Sequence, residues 1–185
     1  MKLPLLMLDA GNPGTASLPK GYSAVAGYIG GDTPHVWTAD QWARFKGIPK
    51  LPIYVDDFKT GRNAGIADGW DCLQKLSVFY ALGIKRGSVV AYDIEVSKDA
   101  QRAYGFASVL NWAGYTVWLY GSRSTVLTIP FGDYWVADFV QPPRPFWPLR
   151  KARACQYQPN VLIDGIQWDV SCIRLWQIRT RKLWV

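Results

Sequence analysis

The sequence predicts an α/β protein, a trimmed TIM-like (β/α) barrel of about eight strands whose helices are reduced in the C-terminal third. Three observations carry this expectation. Strand-like and helix-like segments alternate along most of the chain, which implies parallel strands joined by right-handed crossovers. Eight strand candidates fall within 185 residues, fewer residues than the roughly 250 of a typical eightfold barrel. Several of those strands end in aspartate, as expected where parallel strands offer their C-terminal ends to a ligand. An open doubly wound sheet competes with this reading. Its nucleotide-binding form is disfavoured, because no GxGxxG run opens a first helix.

The elements follow in order. Leu3–Ala10 is an apolar first strand, followed by a Gly- and Pro-rich loop. Tyr22–Gly31 (YSAVAGYIGG) is the second strand. Thr38 and Gln41 have capping-box spacing and open a short helix to Phe45. Leu51–Phe58 (LPIYVDDF) is the third strand. Across Ile66–Leu82, the residues Ile66, Trp70, Leu73, Leu76 and Tyr80 recur at helical spacing, with Gly83 as the stop. Ser88–Val96 is the fourth strand. Ser97 is placed to cap a helix whose Ala103, Ala107 and Leu110 share a face and which ends at Gly114. Tyr115–Gly121 and Tyr134–Val140 make strands five and six. After PPRPFWP the helices fade, and ACQYQ (154–158) and GIQWDVSCI (165–173) make strands seven and eight. The segment after Ile173 fits a helix or a strand. With no repeat or low-complexity tract, the chain reads as one domain over residues 1–185.

Composition narrows the function classes. A hydrophobic fraction of 49% and a charged fraction of 19% are those of a globular chain. Ten tryptophans and ten tyrosines supply rings for both a core and a ligand surface. The net charge of +7 is concentrated late: from Arg144 onward there are eight Lys/Arg against two Asp. Such a face suits an anionic polymer, but no nucleic-acid-binding signature accompanies it. Cys72, Cys155 and Cys172 lack metal-ligand spacing, and His35 is the only histidine. No metal or other cofactor is therefore expected, and the three cysteines read as buried thiols. The apolar run in MKLPLLMLDAG breaks at Asp9, too soon for a signal peptide, and no stretch is long enough to span a bilayer.

The chemistry gathers in AYDIEVSKD, residues 91–99. Glu95 is the only glutamate in the chain. Side chains two apart on a strand share a face, so Val89, Ala91, Asp93 and Glu95 point one way and Val90, Tyr92 and Ile94 the other. Acidic residues are disfavoured in strands and costly when buried unpaired. Asp9, Asp56, Asp57 and Asp169 nonetheless repeat the pattern at the ends of other strands. Three chemistries would use such a cluster: glycosidic acid/base catalysis, a divalent metal as in a phosphoesterase, or salt bridges to arginines. Cα atoms about 6.6 Å apart let two carboxyls straddle a sugar ring, one protonated and the other ionised.

These motifs together resemble the family-25 glycoside hydrolases, the Chalaropsis-type lysozymes, and related glycoside-hydrolase-like domains. The resemblance rests on Asp9 ending strand one, YDIE (92–95), LYGS (119–122), WVADF (135–139), ACQYQ and IDGIQWDVS (163–171). The third strand departs from the family pattern, reading IYVDDF where a Tyr-His-Phe-like sequence is usual. The resemblance implies a trimmed barrel that cleaves the β-1,4 bond after N-acetylmuramic acid in peptidoglycan. Glu95 would be the proton donor, and Asp93 its partner as nucleophile or by orienting the acetamido group. Asp9 and Asp169 would complete an acidic floor. Tyr120, Trp135 and Tyr157 would shape the sugar site, Gln156 would make a polar contact, and Tyr28 and Asp56 would join them in binding substrate.

The expected partner is the peptidoglycan glycan strand, with an anionic wall polymer held by the basic C-terminal third. The resemblance implies action outside the cell or on a virion; a cytoplasmic place is left open. The alternative function is a non-catalytic carbohydrate-binding domain of a phage tail or cell-surface assembly.

Overall fold

A computed structural model describes residues 5–80, 85–139 and 151–174. Eight strands close into a barrel in chain order: β1 (Leu5–Asp9), β2 (Ala24–Gly31), β3 (Lys50–Val55), β4 (Val89–Asp93), β5 (Thr116–Ser122), β6 (Asp133–Ala137), β7 (Ala152–Ile163) and β8 (Ile166–Ile173). Among the described residues four helices lie between them: α1 (Ala39–Ala43), α2 (Arg62–Val78), α3 (Ala100–Trp112) and α4 (Arg123–Thr128). The final segment left open by the sequence, the PPRPFWP loop and the Gly83 stop lie outside the described residues. So do Arg144, Arg150, Arg179, Arg181 and Lys182, most of the basic C-terminal third.

Period-two alternation sorts the strands into two apolar layers. Met7, Ala24, Ala26, Leu51, Ile53, Val89, Ala91, Trp118, Trp135, Ala154 and Ile173 fill the barrel. Leu8, Val25, Val90, Tyr92, Leu119 and Val136 face the helical layer. The two faces expected for β4 hold for Val89 and Ala91 against Val90 and Tyr92, but the strand ends at Asp93, so Glu95 lies in the turn beyond it and not on the strand.

The expectation of an all-parallel sheet is corrected at β8. Strands β1 to β7 pair in parallel, but β8 runs antiparallel to both β7 and β1. Only Asp164 and Gly165 join β7 to β8, too few residues for a crossover. Both have positive φ, at 51° and 78°, as a type I′ hairpin turn requires. A two-residue turn replaces a helical crossover, which is one way the cylinder closes in so short a chain.

The helices bear out some expectations and correct others. Thr38 and Gln41 form the expected capping box on α1. The cap of α3 is Asp99, whose side chain accepts from the Gln101 N–H at 2.8 Å, and not Ser97. Helix α4 was not anticipated; Ser122 caps it by accepting from the Thr125 N–H. In α2 the buried face is Gly65, Gly69, Cys72 and Leu76, whereas Trp70 and Tyr80 are exposed. The glycines are the cause. A Cβ at Gly65 would collide with the Arg102 carbonyl, and one at Gly105 with the Arg62 carbonyl. The α2 and α3 backbones therefore touch, and the contact face is set by the absence of side chains.

Beneath that contact lies a buried arginine, 1% exposed. Arg102 bonds Asp68 through Nε at 2.8 Å and, through its Nη1, the Asp57 carboxylate at 2.5 Å and the carbonyls of Asp57 and Lys59. Tyr92 donates to the same Asp68 at 2.6 Å. A buried cation is tolerated when several acceptors replace its hydration, and here they tie the β3–α2 loop to α3.

Gly65→Ala and Gly105→Ala are each expected to lower stability by about 2 kcal/mol or more through overpacking, although alanine is the better helix former. Chemical denaturation of the single variants measures this.

Candidate active site

The C-terminal ends of the parallel strands meet the start of β8 at one mouth of the barrel. Asp9 closes β1, and its direct partner across the antiparallel pair is Asp169. Asp93 closes β4 beside Tyr120 of β5. Glu95 lies two residues beyond, in the turn after β4, where the Asp93 carboxylate accepts its N–H at 3.0 Å. Gly121 packs against this turn, the Glu95 Cγ lying 3.7 Å from where a Cβ would stand, an ordinary van der Waals contact. The Ser122 N–H lies near enough to favour the charged form of the Glu95 carboxyl. Among the described residues no arginine pairs with Glu95.

A hydrogen-bond relay holds the floor. Tyr120 donates its hydroxyl to Gln156 Oε1 at 2.6 Å, which fixes the Gln156 amide so that its Nε2 faces the acids. That nitrogen donates to Asp169 at 2.8 Å and, more weakly, to Asp9 at 3.5 Å. The β7–β8 ladder shifts twice between Gln156 and Val161. Within this irregular stretch the Asn160 N–H is directed at Asp169, 2.7 Å away. Trp135 supports the relay from inside the barrel, its ring 4.5 Å from that of Tyr120 and its Nε1 donating to Ser171 at 3.0 Å.

Crowding and burial set the protonation. Burial pushes Asp9 well above the usual carboxylate range, and the neighbouring Asp169 and Asp93 charges push the same way. Its Oδ2 is buried and has no hydrogen-bond partner among the described residues, as suits a neutral carboxyl. Asp93, 7% exposed, is raised to about 8 by burial, against the opposing pull of the Glu95 N–H. Glu95 is also raised, first by the partial loss of water around it, although Lys98 and the Ser122 N–H favour its charge. Asp169 is raised by burial and drawn back by Asn160 and Gln156.

The expectation of a protonated Glu95 beside an ionised Asp93 is therefore revised. Asp93 is the more deeply buried carboxyl and keeps its proton at neutral pH, while Glu95 stands exposed at the rim.

Tyr28 completes the cluster. Its hydroxyl is raised first by burial and then by the charges of Asp9, Asp93, Asp169 and Glu95, all of them close by. A cleft of about 500 Å³ opens here, lined by Asp9, Tyr28, His35, Asn160, Gln167 and Asp169 among others. His35, Asn12, Asn160 and Gln167 were not singled out from the sequence, where nothing marks them beyond His35 being the lone histidine.

Three predicted site residues fall elsewhere. Trp135 is 1% exposed and packed inside the barrel, so its ring offers no face to a sugar. Asp56 is fully buried, and its Oδ2 accepts from both the Ser97 N–H and the Ser97 hydroxyl, which anchors the turn that carries Glu95. Tyr157 follows the inward-facing Gln156 by one residue, so alternation turns it to the outer layer near Tyr22 and Cys172. A larger cavity of about 690 Å³ lies outside the barrel, along α2, and includes Asp57, Asp71, Lys75 and Arg102. Its Asp57, Asp68 and Arg102 are already bound to one another, and its lining includes none of Asp9, Asp93, Glu95 and Asp169.

The barrel fold recurs in solved structures at low identity. The catalytic domain of endolysin ply40, from bacteriophage P40 of Listeria monocytogenes, is 16% identical with a TM-score of 0.74, covering 98% of both chains. An uncharacterized protein of B. stearothermophilus is also 16% identical, with a TM-score of 0.70, over 97% of this chain and 99% of its own. The modular Cpl-1 endolysin, solved in complex with a peptidoglycan analogue, is 15% identical with a TM-score of 0.61, over 95% of this chain and 55% of its own. The sequence matches no protein-family model and no curated protein. The likeness is one of fold: a closed eight-stranded mixed barrel of the kind these endolysins have.

The Asp93 shift has a stability consequence. Its carboxyl holds a proton to about pH 8 in the folded chain, against 3.8 ordinarily. The folded state therefore binds a proton that the unfolded chain has released. That contribution is complete below about pH 4 and is lost as pH rises toward 8. Asp93→Asn stays neutral throughout and can still accept the Glu95 N–H. It is expected to match the parent near pH 4 and to melt several degrees higher at pH 8, as read by thermal denaturation in paired buffers.

Proposed function

We propose that this chain is a peptidoglycan-degrading glycosidase of the lysozyme, or N-acetylmuramidase, type. The observation that carries the reading is a cleft lined by Asp9, Tyr28 and Asp169 at the mouth of a barrel whose fold endolysins share, with Asp93 and Glu95 near enough to act electrostatically on the same Tyr28. The cleft is large enough for sugar rings. Amide, imidazole and phenol groups line it beside Asp9 and Asp169, and among the described residues no lysine or arginine does. A neutral, hydroxyl-rich ligand fits that lining better than a phosphate does.

In this reading Glu95 is the general acid. Partial loss of water raises its pKa, the direction a proton donor needs, and its exposure at the rim lets a proton be exchanged with water. The proton passes to the glycosidic oxygen as the bond to the anomeric carbon breaks and its electron pair leaves with that oxygen. The positive charge that develops on the sugar is stabilised by the acidic floor, in which Asp169, accepting two hydrogen bonds, is the member best supported as an anion. A water then bonds to the anomeric carbon and gives its proton to the Glu95 carboxylate, which restores the acid. Asp93, still protonated, donates a hydrogen bond to the acetamido carbonyl and orients it. Asp56 and Ser97 fix the turn that places Glu95, while Tyr120 and Gln156 hold Asp169. The glycan strand is the partner, without a metal.

Glu95→Gln keeps the shape and removes the transferable proton. It is expected to lower kcat on purified peptidoglycan by about 10²-fold or more with little change in KM, measured as new reducing ends. Equal activity in the variant overturns the assignment of Glu95. Binding of glycan by the parent without any reducing ends selects the non-catalytic carbohydrate-binding alternative. EDTA is expected to leave the rate unchanged; loss of activity in EDTA favours a metal-dependent phosphoesterase instead. The rate should fall on the alkaline side, as Glu95 gives up its proton and Asp93 ionises near pH 8.

A further inference from the structure

All three cysteines are free and buried, and two of them stand together. Cys155 on β7 and Cys172 on β8 are direct partners across the antiparallel pair. The Arg174 N–H donates to the Arg153 carbonyl at 3.2 Å, so Arg153 and Arg174 form a hydrogen-bonded pair. Two residues along, Cys155 and Cys172 form the next one. Such pairs hold their Cα atoms about 5.5 Å apart, inside the span that a disulfide bridges without moving the backbone. Both side chains point the same way, to the outer side of the sheet, since Gln156 and Ser171 on either side of them face inward. The two thiols are near enough to shift one another's ionisation. Cys155 is raised first by its hydrogen bond to Cys172, and Cys172 is lowered by the same contact. Cys172 is therefore the first of the two to become a thiolate.

We propose that Cys155 and Cys172 are a reversible disulfide site that fastens the base of the β7–β8 hairpin when the protein meets a low-molecular-weight disulfide. The Cys172 thiolate attacks one sulfur of the small disulfide, forming a mixed disulfide and releasing one small thiolate, which takes up a proton. Cys155 then loses its proton and attacks Cys172 Sγ, expelling the second small thiolate, which is protonated in turn. Two cysteine thiols are oxidised and one small disulfide is reduced to two thiols, so atoms and electrons balance.

The location gives the bond a consequence. Gln156 adjoins Cys155 and holds Asp169, while Ser171 adjoins Cys172 and holds Trp135. Just beyond the Gln156–Ser171 pair the ladder becomes irregular. The cross-link would thus clamp the last regular stretch below the part of the hairpin that carries Asn160 and Asp169. The same irregularity gives access, because an interrupted ladder opens more readily than a continuous one. Cys72 has no part in this, being fully buried on α2. The proposal is independent of the glycosidase reading.

The native protein is incubated with oxidised glutathione, the remaining thiols are alkylated, and the digest is read by mass spectrometry. The expected product is a peptide pair joined through Cys155 and Cys172, lighter by two hydrogens, with Cys72 alkylated. Dithiothreitol should reverse it. Amide exchange across residues 156–171 should slow in the oxidised form, and Tm should rise by about 5 °C. Cys155→Ala should instead stop at a glutathione adduct on Cys172. Native protein whose Cys155 and Cys172 both stay alkylatable overturns the proposal, as do stable glutathione adducts on both residues or a bridge to Cys72.

Discussion

Asp9 and Asp169 face one another across the β1–β8 pair, and Gln156 reaches both from β7. This contact is the constraint on which the mouth of the barrel depends. Two carboxyl groups in cross-strand register would repel if both were charged. The protein resolves the conflict by treating them differently. Asp9 is buried deeply enough to stay neutral, while Asp169 accepts from the Gln156 amide and the Asn160 N–H. Tyr120 orients that amide by donating to its oxygen, so Gln156 has only its nitrogen to offer the acids. One phenol on β5 thereby fixes the arrangement of charge on three other strands.

The helical layer places the rim in a comparable way. Arg102 gathers Asp57, Asp68 and two loop carbonyls, and α2 and α3 approach until their backbones meet at Gly65 and Gly105. The β3–α2 loop is thereby fixed next to Asp56, whose carboxylate holds Ser97. Glu95 lies on the turn between Asp93 and Ser97 and is anchored from both sides. An exposed carboxyl on a loop is ordinarily mobile; this one is held by backbone bonds that start in the core.

Much of this was legible in the sequence, and the limits have physical causes. The alternation in AYDIEVSK placed Asp93 inward and Tyr92 outward, because a strand has two faces and each residue's polarity matches its side. Asp9 was found through the same strand-end logic and Gln156 through the resemblance, whereas Asp169, read as late in a parallel strand, reaches the mouth because β8 runs the other way. Asp56 was not separable from them, because a strand-end aspartate that faces a cleft and one that caps a turn look alike until the loop is seen. Tyr157 was carried along by its neighbour Gln156, although adjacent residues on a strand cannot share a face. The face of α2 was misjudged because hydrophobic spacing ignores glycine, and here glycine makes the closest contact. The antiparallel β8 did have a signal, the Asp-Gly pair between two apolar runs, which marks a hairpin and not a crossover.

That Asp-Gly turn also decides which acids the mouth contains. In β1 and β4 the mouth residue is the strand's last, fixed by everything that precedes it. In β8 the order is reversed, with Asp169 near the start of the strand and Ile173 at the floor. Its frame is counted from a two-residue bend and two bulges. A slip of one position would turn Asp169 outward and bring Val170 in, replacing a carboxyl with an isopropyl group while the cylinder stayed closed. Chemical identity at this mouth is thus stored partly in a length, the number of residues between Gln156 and Asp169.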